Sequence, residues 1–222
     1  MRNLRKSYIY WDLDGTLWQH KEQEVKLICE NLSITYSIKL EEEFFYMIGE
    51  FNRHFERIRV TQSEICQIIE RTMLELYAVG ISGRQFLDAW CETECNVLNK
   101  DAKEVLKKFN ELGKQNNVIT DWLWNKQITQ LRNFGILSYI EKIYSCEGYF
   151  LKKNPKSISR VIKPKEREAS IIIGDSLQSD IAFANNAGIS SIWYNPKRTE
   201  NLTTFEPTFE VTSLMEVLDI IK

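Results

Sequence analysis

The sequence predicts an α/β protein in which a parallel sheet lies between two layers of helices, with a small all-helical domain inserted after the first strand. Two observations support this fold class. Short runs of β-branched and aromatic residues alternate with helical patterns over the second half of the chain. A long stretch before it, residues 18–99, has no proline and repeats apolar residues at helical spacing. Repeated strand and helix units favour parallel strands joined by right-handed crossovers.

The first predicted strand ends at Trp11 and is followed by two carboxylates, Asp12 and Asp14, and then by Gly15 and Thr16. Gly15 allows the chain to turn, so that both carboxylates face one small site. Like charges held this close repel each other, so the stretch predicts either a bound divalent metal or a raised carboxyl pKa. The alternative is an ordinary Asp-rich turn with no role in chemistry.

The inserted stretch is typical of a helical bundle. Its apolar residues recur at spacings of a helical face in three places: Val25, Ile28, Cys29 and Leu32; Phe44, Phe45, Ile48 and Phe51; and Ile65, Ile68, Ile69, Met73 and Leu76. Ser82 is predicted to cap the helix that follows it. We therefore assign residues 18–99 to a helical domain, and residues 1–17 and 100–222 to the α/β core.

The remainder of the core alternates helices with short strands. The predicted strands are Asn117–Thr120, Lys142–Ser145, Ala169–Gly174 and Ile189–Trp193. Residues 195–210 are polar and are expected to be irregular, and residues 213–221 are expected to form a closing helix. Ligands of such sheets bind outside the carboxyl ends of the strands, so the residues that follow Trp11, Ile119 and Gly174 should converge on one site.

The composition excludes several classes of partner. The 222 residues carry 29 basic and 31 acidic side chains, a formal net charge of -2, so we expect no nucleic acid polymer and no membrane as partner. No signal peptide or membrane span is expected. The five cysteines include no Cys-x-x-Cys pair, which favours the cytoplasm. Cys91 and Cys95 lie one helical turn apart, but a structural zinc site normally needs four ligands.

Four motifs taken together resemble the haloacid dehalogenase superfamily. They are Asp12-Leu13-Asp14-Gly15-Thr16-Leu17 after the first strand, Thr120 after a second strand, a lysine in the loop before Pro155, and Gly174-Asp175-Ser176-Leu177-Gln178-Ser179-Asp180 late in the chain. The resemblance covers Tyr8 to Trp193. It implies a Rossmann-like three-layer α/β/α core with a parallel sheet. It also implies that residues 18–99 are an α-helical cap domain, inserted as in the phosphatase and nucleotidase-like branch.

The resemblance implies a phosphatase mechanism that elementary chemistry supports. A carboxylate can accept a phosphoryl group and so divide hydrolysis into two displacements. Asp12 is expected to be this nucleophile, and Asp14 the general acid that later acts as the base. Hard oxygen ligands suit Mg²⁺, which we expect to be held by Asp12, the main-chain carbonyl of Asp14, and Asp175. Thr16, Ser176 and Asp180 are expected to support these groups from behind.

Further residues are expected to contact the substrate. Thr120 would donate a hydrogen bond to a phosphate oxygen, and a lysine would neutralise its charge. The family often has Lys-Pro-x-Pro in the lysine loop, whereas this chain has Lys152-Lys153-Asn154-Pro155. Alignment on Pro155 selects Lys152, with Lys153 as the alternative. Asp121 stands where Asn or Ser often follows the threonine, and Trp18, with Trp122 and Trp124, is predicted to line the pocket.

These expectations favour a Mg²⁺-dependent phosphatase that acts on a small phosphorylated metabolite as a monomer or homodimer. The pattern Trp193-Tyr194-Asn195-Pro196 loosely resembles the nucleotidase-like branch and suggests a nucleoside 5'-monophosphate as substrate. A sugar-phosphate phosphatase, a phosphomutase and a non-catalytic regulatory module are the alternatives. Asp14 argues against the dehalogenase reaction, because the dehalogenases lack this second aspartate.

Overall fold

The computed structural model describes residues 4–44, 62–121, 124–145 and 158–222. The strands in these residues form one parallel sheet and one antiparallel ribbon. In chain order they are β1 (Tyr8–Trp11), β2 (Trp18–His20), β3 (Asn96–Leu98), β4 (Gln115–Thr120), β5 (Lys142–Ser145), β6 (Ser170–Gly174), β7 (Ser190–Tyr194) and β8 (Phe209–Val211). The order across the sheet is β5-β4-β1-β6-β7-β8, and each neighbouring pair is parallel. The predicted fold class is confirmed.

Helices cover the sheet and make up most of the described part of the inserted stretch. They are α1 (Glu24–Tyr36), α2 (Gln62–Tyr77), α3 (Gly83–Glu92), α4 (Ala102–Glu111), α5 (Trp124–Asn133), α6 (Ile158–Val161), α7 (Ala182–Ala187) and α8 (Val217–Ile220). Short 3-10 turns occur at Leu137–Tyr139, Pro164–Glu166 and Leu214–Glu216. Among the helices in the described ranges, none has both the length and the apolar character needed to cross a bilayer.

Strand β1 shows why both faces of the sheet need helices. Its side chains alternate between faces, as in any strand, and both sets are apolar. Ile9 and Trp11 belong to a buried cluster that includes Phe109 of α4. Tyr10, between them, belongs to a second cluster with Phe183 of α7. A strand that is buried on both faces is typical of a parallel sheet between two helical layers.

The register of the central strands determines where the functional residues lie. Trp11, the last residue of β1, pairs with Val118 of β4 and with Ile173 of β6. These three parallel strands therefore end at the same edge of the sheet. The chain leaves each strand there and delivers the residues that follow Trp11, Thr120 and Gly174 to one region.

The cap segment, residues 18–99, contains an apolar cluster of its own. The buried members of this cluster are Ile28, Cys29, Leu32, Leu40, Phe44, Ile69, Met73, Phe86, Leu87, Trp90, Cys91 and Cys95. The predicted cap of α3 is confirmed, because the Ser82 hydroxyl accepts a hydrogen bond from the Gln85 amide at 3.4 Å. The helical pattern that runs on from Phe44 to Phe51 lies outside the described residues, apart from Phe44. The division into core and cap stays a prediction.

The two ends of the cap segment form the antiparallel ribbon, which the sequence did not predict. Trp18 pairs with Leu98 and His20 pairs with Asn96. Each strand of the ribbon has only three residues, too few for a pattern of alternation to be recognised. The chain therefore leaves the core and returns to it through adjacent strands.

Two further elements differ from the expectation. The stretch 195–210, expected to be irregular, leads into β8, which lengthens the sheet by one edge strand. Asn195 anchors this stretch, because its side-chain amide donates to the carbonyl of Thr199 and to the carboxylate of Glu210. After β6, the chain makes a turn of π-helix at Leu177–Ile181 before α7 begins. Single π turns of this kind occur frequently at functional sites.

Candidate active site

Three carboxylates lie together at the carboxyl edge of the sheet. Asp12 follows β1, and its amide donates to the carbonyl of Ile173 at 2.9 Å. Asp175 follows β6, and Asp180 lies in the π turn beyond it. Each of the three aspartates offers an oxygen within 4.8 Å of the other two. Asp12 and Asp180 are buried, whereas Asp175 is exposed.

The donor set of this cluster fits a hard divalent cation. Buried carboxylates at this separation repel each other unless a positive charge lies between them. An oxygen-only donor set suits Mg²⁺ or Ca²⁺ rather than zinc. Asp180, expected only to support the ligands, offers its own oxygen to the cluster. The carboxylate of Asp14, in contrast, is held by hydrogen bonds outside the cluster.

Two glycines allow the acidic residues to approach this closely. A Cβ atom on Gly15 would overlap the carboxylate of Asp175, and Gly15 has a φ of 89°, in the region that side chains disfavour. A Cβ atom on Gly174 would overlap the carboxylate of Asp180. The glycines of the two motifs therefore make space for the carboxylates that the same motifs supply.

Hydroxyl and amide groups orient the acidic residues. The fully buried Thr16 hydroxyl donates to Asp12 Oδ2 at 3.1 Å. The Ser176 amide donates to Asp180 Oδ2 at 3.1 Å. Thr16 and Ser176 therefore lie beside carboxylates of the cluster, whereas Asp180 is itself a member of it. The supporting roles expected for all three stay predictions.

Asp121 contacts the neighbouring motif. The hydroxyl of Ser179 donates to Asp121 Oδ2 at 3.3 Å, and Asp121 is half-buried. Asp121 does not join the group formed by Asp12, Asp175 and Asp180 among the described residues. The additional acid therefore has a local donor, and its predicted contact with substrate stays a prediction.

Asp14 occupies a different environment from Asp12. The indole of Trp18 donates to Asp14 Oδ1 at 2.8 Å, and the side-chain amide of Gln127 donates to Oδ2 at 2.6 Å. The same Gln127 nitrogen also lies 3.1 Å from the hydroxyl of Thr120. Gln127 is fully buried, and it links the last residue of β4 to the second aspartate after β1.

Sequence reasoning missed Gln127, because the feature that reveals it is the burial of one face of α5. The buried side chains of α5 are Lys126, Gln127, Gln130 and Leu131, so most of its inward face is polar. A polar inward face is costly unless each group has a partner. It is therefore typical of a helix that supplies hydrogen bonds to a site. The polarity of this face was concealed by the apolar residues Ile128 and Phe134.

A second polar group, formed by His20, Glu24 and Lys126, adjoins Asp14. His20 Nδ1 lies 2.9 Å from Glu24 Oε2, and His20 Nε2 lies 3.8 Å from Asp14 Oδ1. Lys126 Nζ lies 3.4 Å from Glu24 Oε1. Cys95 Sγ donates to the same Glu24 oxygen at 3.4 Å. Glu24 thus joins the start of α1 to a lysine that comes from α5.

The pKa values within this group reflect mutual stabilisation. Burial opposes the ionisation of Glu24, but the hydrogen bond with His20 and the charge of Lys126 lower its pKa to about 2. The hydrogen bond to Glu24 raises the pKa of His20. Burial disfavours the charge of Lys126, but acidic neighbours, among them Cys95, Glu24 and Asp14, outweigh it and raise the pKa of the lysine.

Of the other residues predicted to contact the substrate, one is buried, one is partly exposed and the rest lie outside the described ranges. Trp18 is fully buried and its ring packs against Phe134 with the centroids 5.6 Å apart, so its contact in this structure is with Asp14. Trp124 is 36% exposed. Lys152, its alternative Lys153 and Trp122 lie outside the described residues.

The cysteines show no sign of a metal site in the described part of the chain. Cys29, Cys66, Cys91 and Cys95 are free thiols. Burial raises the pKa of Cys91 to about 12 and that of Cys95 to about 11, which disfavours the thiolate form that metals bind. The metal-capable group found in the described ranges consists of Asp12, Asp175 and Asp180.

Proteins of similar sequence include phosphate-releasing enzymes. A pyrimidine 5'-nucleotidase of Streptococcus pneumoniae is 37% identical over 97 residues, which are 42% of this chain and 41% of the nucleotidase. A glyceraldehyde 3-phosphate phosphatase of Pyrococcus abyssi is 30% identical over 96 residues, which are 42% of this chain and 40% of the phosphatase. The chain matches less than half the length of both relatives.

A solved structure supports the fold over almost the whole chain. The crystal structure of the HAD-hydrolase YfnB from Bacillus subtilis, bound to magnesium, covers 97% of this chain and 98% of its own. The two have a TM-score of 0.68 at 20% sequence identity, which shows a shared fold. The sequence profile of the haloacid dehalogenase-like hydrolases matches residues 9–194. The prediction made from the motifs is confirmed, and the chain belongs to the haloacid dehalogenase-like hydrolase family.

Proposed function

We propose that the protein is a Mg²⁺-dependent phosphatase that hydrolyses a small phosphate monoester through an aspartyl-phosphate intermediate. This proposal rests on the different environments of Asp12 and Asp14, which lie on the same turn after β1. Asp12 belongs to the carboxylate cluster that suits a cation, whereas both oxygens of Asp14 accept hydrogen bonds away from it. Two carboxylates in different environments are typical of a nucleophile and an acid-base pair.

In the first displacement, Asp12 attacks the phosphorus atom of the ester. A carboxylate oxygen of Asp12 forms the new P–O bond, and the bond between phosphorus and the ester oxygen breaks. Asp14 gives its proton to the departing ester oxygen, so that the alcohol leaves as a neutral molecule. The products of this step are the alcohol and phosphorylated Asp12.

In the second displacement, water attacks the phosphorus atom of phosphorylated Asp12. Asp14, now a carboxylate, takes a proton from this water as the P–O bond to Asp12 breaks. Inorganic phosphate leaves, and both aspartates return to their starting states. Trp18 and Gln127 each donate a hydrogen bond to one oxygen of Asp14, which fixes the orientation of this side chain in both displacements.

The carboxylates of Asp12, Asp175 and Asp180, with the main-chain carbonyl of Asp14, are the groups that would hold Mg²⁺. A bound Mg²⁺ supplies positive charge that reduces the repulsion between the carboxylate nucleophile and the phosphate oxygens. Thr120 and Lys152 are proposed to bind those oxygens. For Trp18 we propose the positioning of Asp14 in place of the pocket-lining role expected from the sequence, because its ring is fully buried.

For the substrate we propose a nucleoside 5'-monophosphate. The similarity to the pneumococcal pyrimidine 5'-nucleotidase over 97 residues supports it. The similarity to the Pyrococcus glyceraldehyde 3-phosphate phosphatase favours a sugar phosphate as the second candidate. We further propose that residues 18–99 act as a cap over the site, and that the enzyme works in the cytoplasm as a monomer or homodimer.

A panel of phosphate esters assayed with and without Mg²⁺ tests these proposals. We expect phosphate release only with Mg²⁺, faster from nucleoside monophosphates than from sugar phosphates, and none from Asp12→Asn. Release by Asp12→Asn at the rate of the wild type would refute the proposed mechanism. Turnover of sugar phosphates alone would exclude the nucleotidase, and conversion of a sugar phosphate into its isomer would indicate the phosphomutase.

A further inference from the structure

A chain of polar contacts connects Asp14 to the cap segment. His20, the last residue of β2, lies between the two, with Nε2 3.8 Å from Asp14 Oδ1 and Nδ1 2.9 Å from Glu24 Oε2. Glu24 begins α1, and its second oxygen lies 3.4 Å from Lys126 Nζ. Lys126 belongs to α5, next to Gln127, which donates to Asp14 from the other side.

The ion pair formed by Glu24 and Lys126 is largely buried and differs in this from an ion pair on the surface. The side chain of Lys126 is 5% exposed and that of Glu24 is 22% exposed. An exposed pair contributes little to a fixed geometry, whereas a buried lysine is stable only with a compensating charge close to it. The pair therefore holds the start of α1 against α5.

Glu24 in turn determines how the imidazole of His20 is presented. Because Glu24 takes the Nδ1 side of the ring, the Nε2 side faces Asp14. A carboxylate that accepts from one ring nitrogen commonly sets the orientation of a functional histidine. The 3.8 Å separation is longer than a hydrogen bond, so His20 limits the space around Asp14 and does not bind it directly.

We propose that His20 and Glu24 are positioning residues for Asp14: His20, oriented by Glu24, occupies the space beside Asp14 and so restricts its carboxyl group to the orientation that delivers the proton to the leaving group. This inference rests on the proposed phosphatase function. Trp18 and Gln127 each hold one oxygen of Asp14, and His20 Nε2 lies 3.8 Å from the oxygen that Trp18 holds. Because Glu24 reaches Lys126 only while the start of α1 lies beside α5, the support of Asp14 is complete only in that arrangement.

Two aryl phosphates that differ in the basicity of the leaving group test this inference. Departure of p-nitrophenolate from p-nitrophenyl phosphate needs little help from an acid, whereas departure of phenolate from phenyl phosphate needs a proton. The quantity compared is kcat/KM, which includes all steps up to departure of the leaving group. The exposed fraction of the His20 side chain is 44%, so its substitution should leave the fold intact.

For His20→Leu we expect kcat/KM to fall about 10-fold with phenyl phosphate but less than about 2-fold with p-nitrophenyl phosphate. Glu24→Gln should show the same contrast to a smaller extent, because His20 remains. His20→Gln should restore part of the loss, because its amide occupies a similar position to Nε2. Lys21→Gln is the matched control, since Lys21 lies beside His20 but donates to the carbonyl of Glu94. It should change neither rate.

The outcomes separate this inference from the proposed function. Equal losses with both esters in His20→Leu would indicate a merely structural role and overturn the inference, as would rates equal to those of the wild type. Thermal unfolding of each variant shows whether it is folded at the assay temperature. If the wild type releases phosphate from neither ester, the proposed function fails and the inference falls with it. If the wild type is active but His20→Leu shows no difference between the two esters, only the inference fails and the proposed phosphatase function is retained.

Discussion

The ion pair of Glu24 and Lys126 leads to a quantitative prediction for stability. At 3.4 Å and an effective dielectric constant of about 20, the attraction between two unit charges is on the order of 5 kcal/mol. The free energy needed to remove both charges from water offsets much of it. Removing one partner of a buried pair leaves the other charge uncompensated, which typically costs about 3 kcal/mol or more.

The two partners should respond unequally to substitution. Glu24→Gln leaves the nearly inaccessible Lys126 without its closest counter-charge, and we expect a loss of about 3 kcal/mol in the free energy of unfolding. Lys126→Met leaves Glu24 with His20 and with some access to water, so we expect a loss of roughly 1 kcal/mol. The double variant should be more stable than Glu24→Gln alone, because it contains no isolated buried charge.

Urea unfolding followed by circular dichroism at neutral pH measures these differences from the midpoints and slopes. A double-mutant cycle then isolates the energy of interaction between Glu24 and Lys126. We expect a coupling of at least about 1.5 kcal/mol. Additive effects of the two substitutions, or a smaller loss for Glu24→Gln than for Lys126→Met, would refute the reasoning about the buried lysine.

Three further predictions follow from the site. In Gly174→Ala the new methyl group should displace the carboxylate of Asp180, so the Mg²⁺ concentration needed for half-maximal activity should rise about 10-fold or more; an unchanged requirement would place Asp180 outside the metal site. Gln127→Leu should lower kcat by roughly 10- to 100-fold, because Asp14 loses a donor at 2.6 Å. Steady-state kinetics measure this loss, and a change in KM alone would contradict it. Because the pKa of Glu24 is lowered from 4.5 to about 2, its ionised form should stabilise the fold at any pH above 4.5 and lose this effect progressively as the pH falls towards 2. The difference in unfolding free energy between wild type and Glu24→Gln should therefore shrink in acid, and a difference that grows would show the sign to be wrong.

The core and its site were predictable wherever a buried strand ends in a polar residue. Asp12, Thr120 and Asp175 each follow an apolar run, and parallel strands bring the ends of such runs to one edge. The convergence of Asp12 and Asp175 is what the structure shows. The approach of Asp180 was harder to anticipate, because it depends on a π turn that a regular helical pattern does not reveal.

The contacts of Asp14 were not predictable from local patterns. Gln127 and Lys126 come from a helix more than a hundred residues further along the chain. Their polarity alone is equally typical of a solvated helical face. Only the packing of α5 against the cap segment shows that this face is buried, so the partners of Asp14 depend on tertiary contacts that one sequence does not specify.

The antiparallel ribbon has a mechanical consequence for the cap segment. An inserted domain that hangs on a single strand can rotate about the backbone bonds of that strand. Two hydrogen-bonded strands, in contrast, resist both twisting and sliding. Asn99 follows the second strand of the ribbon, and its side-chain amide donates a hydrogen bond to the carbonyl of Thr16 at 3.3 Å. This contact stiffens the connection to the core. If residues 18–99 form the cap that we propose, bending about an axis across the ribbon would be the motion that its two paired strands resist least. Such bending would move Glu24 away from Lys126.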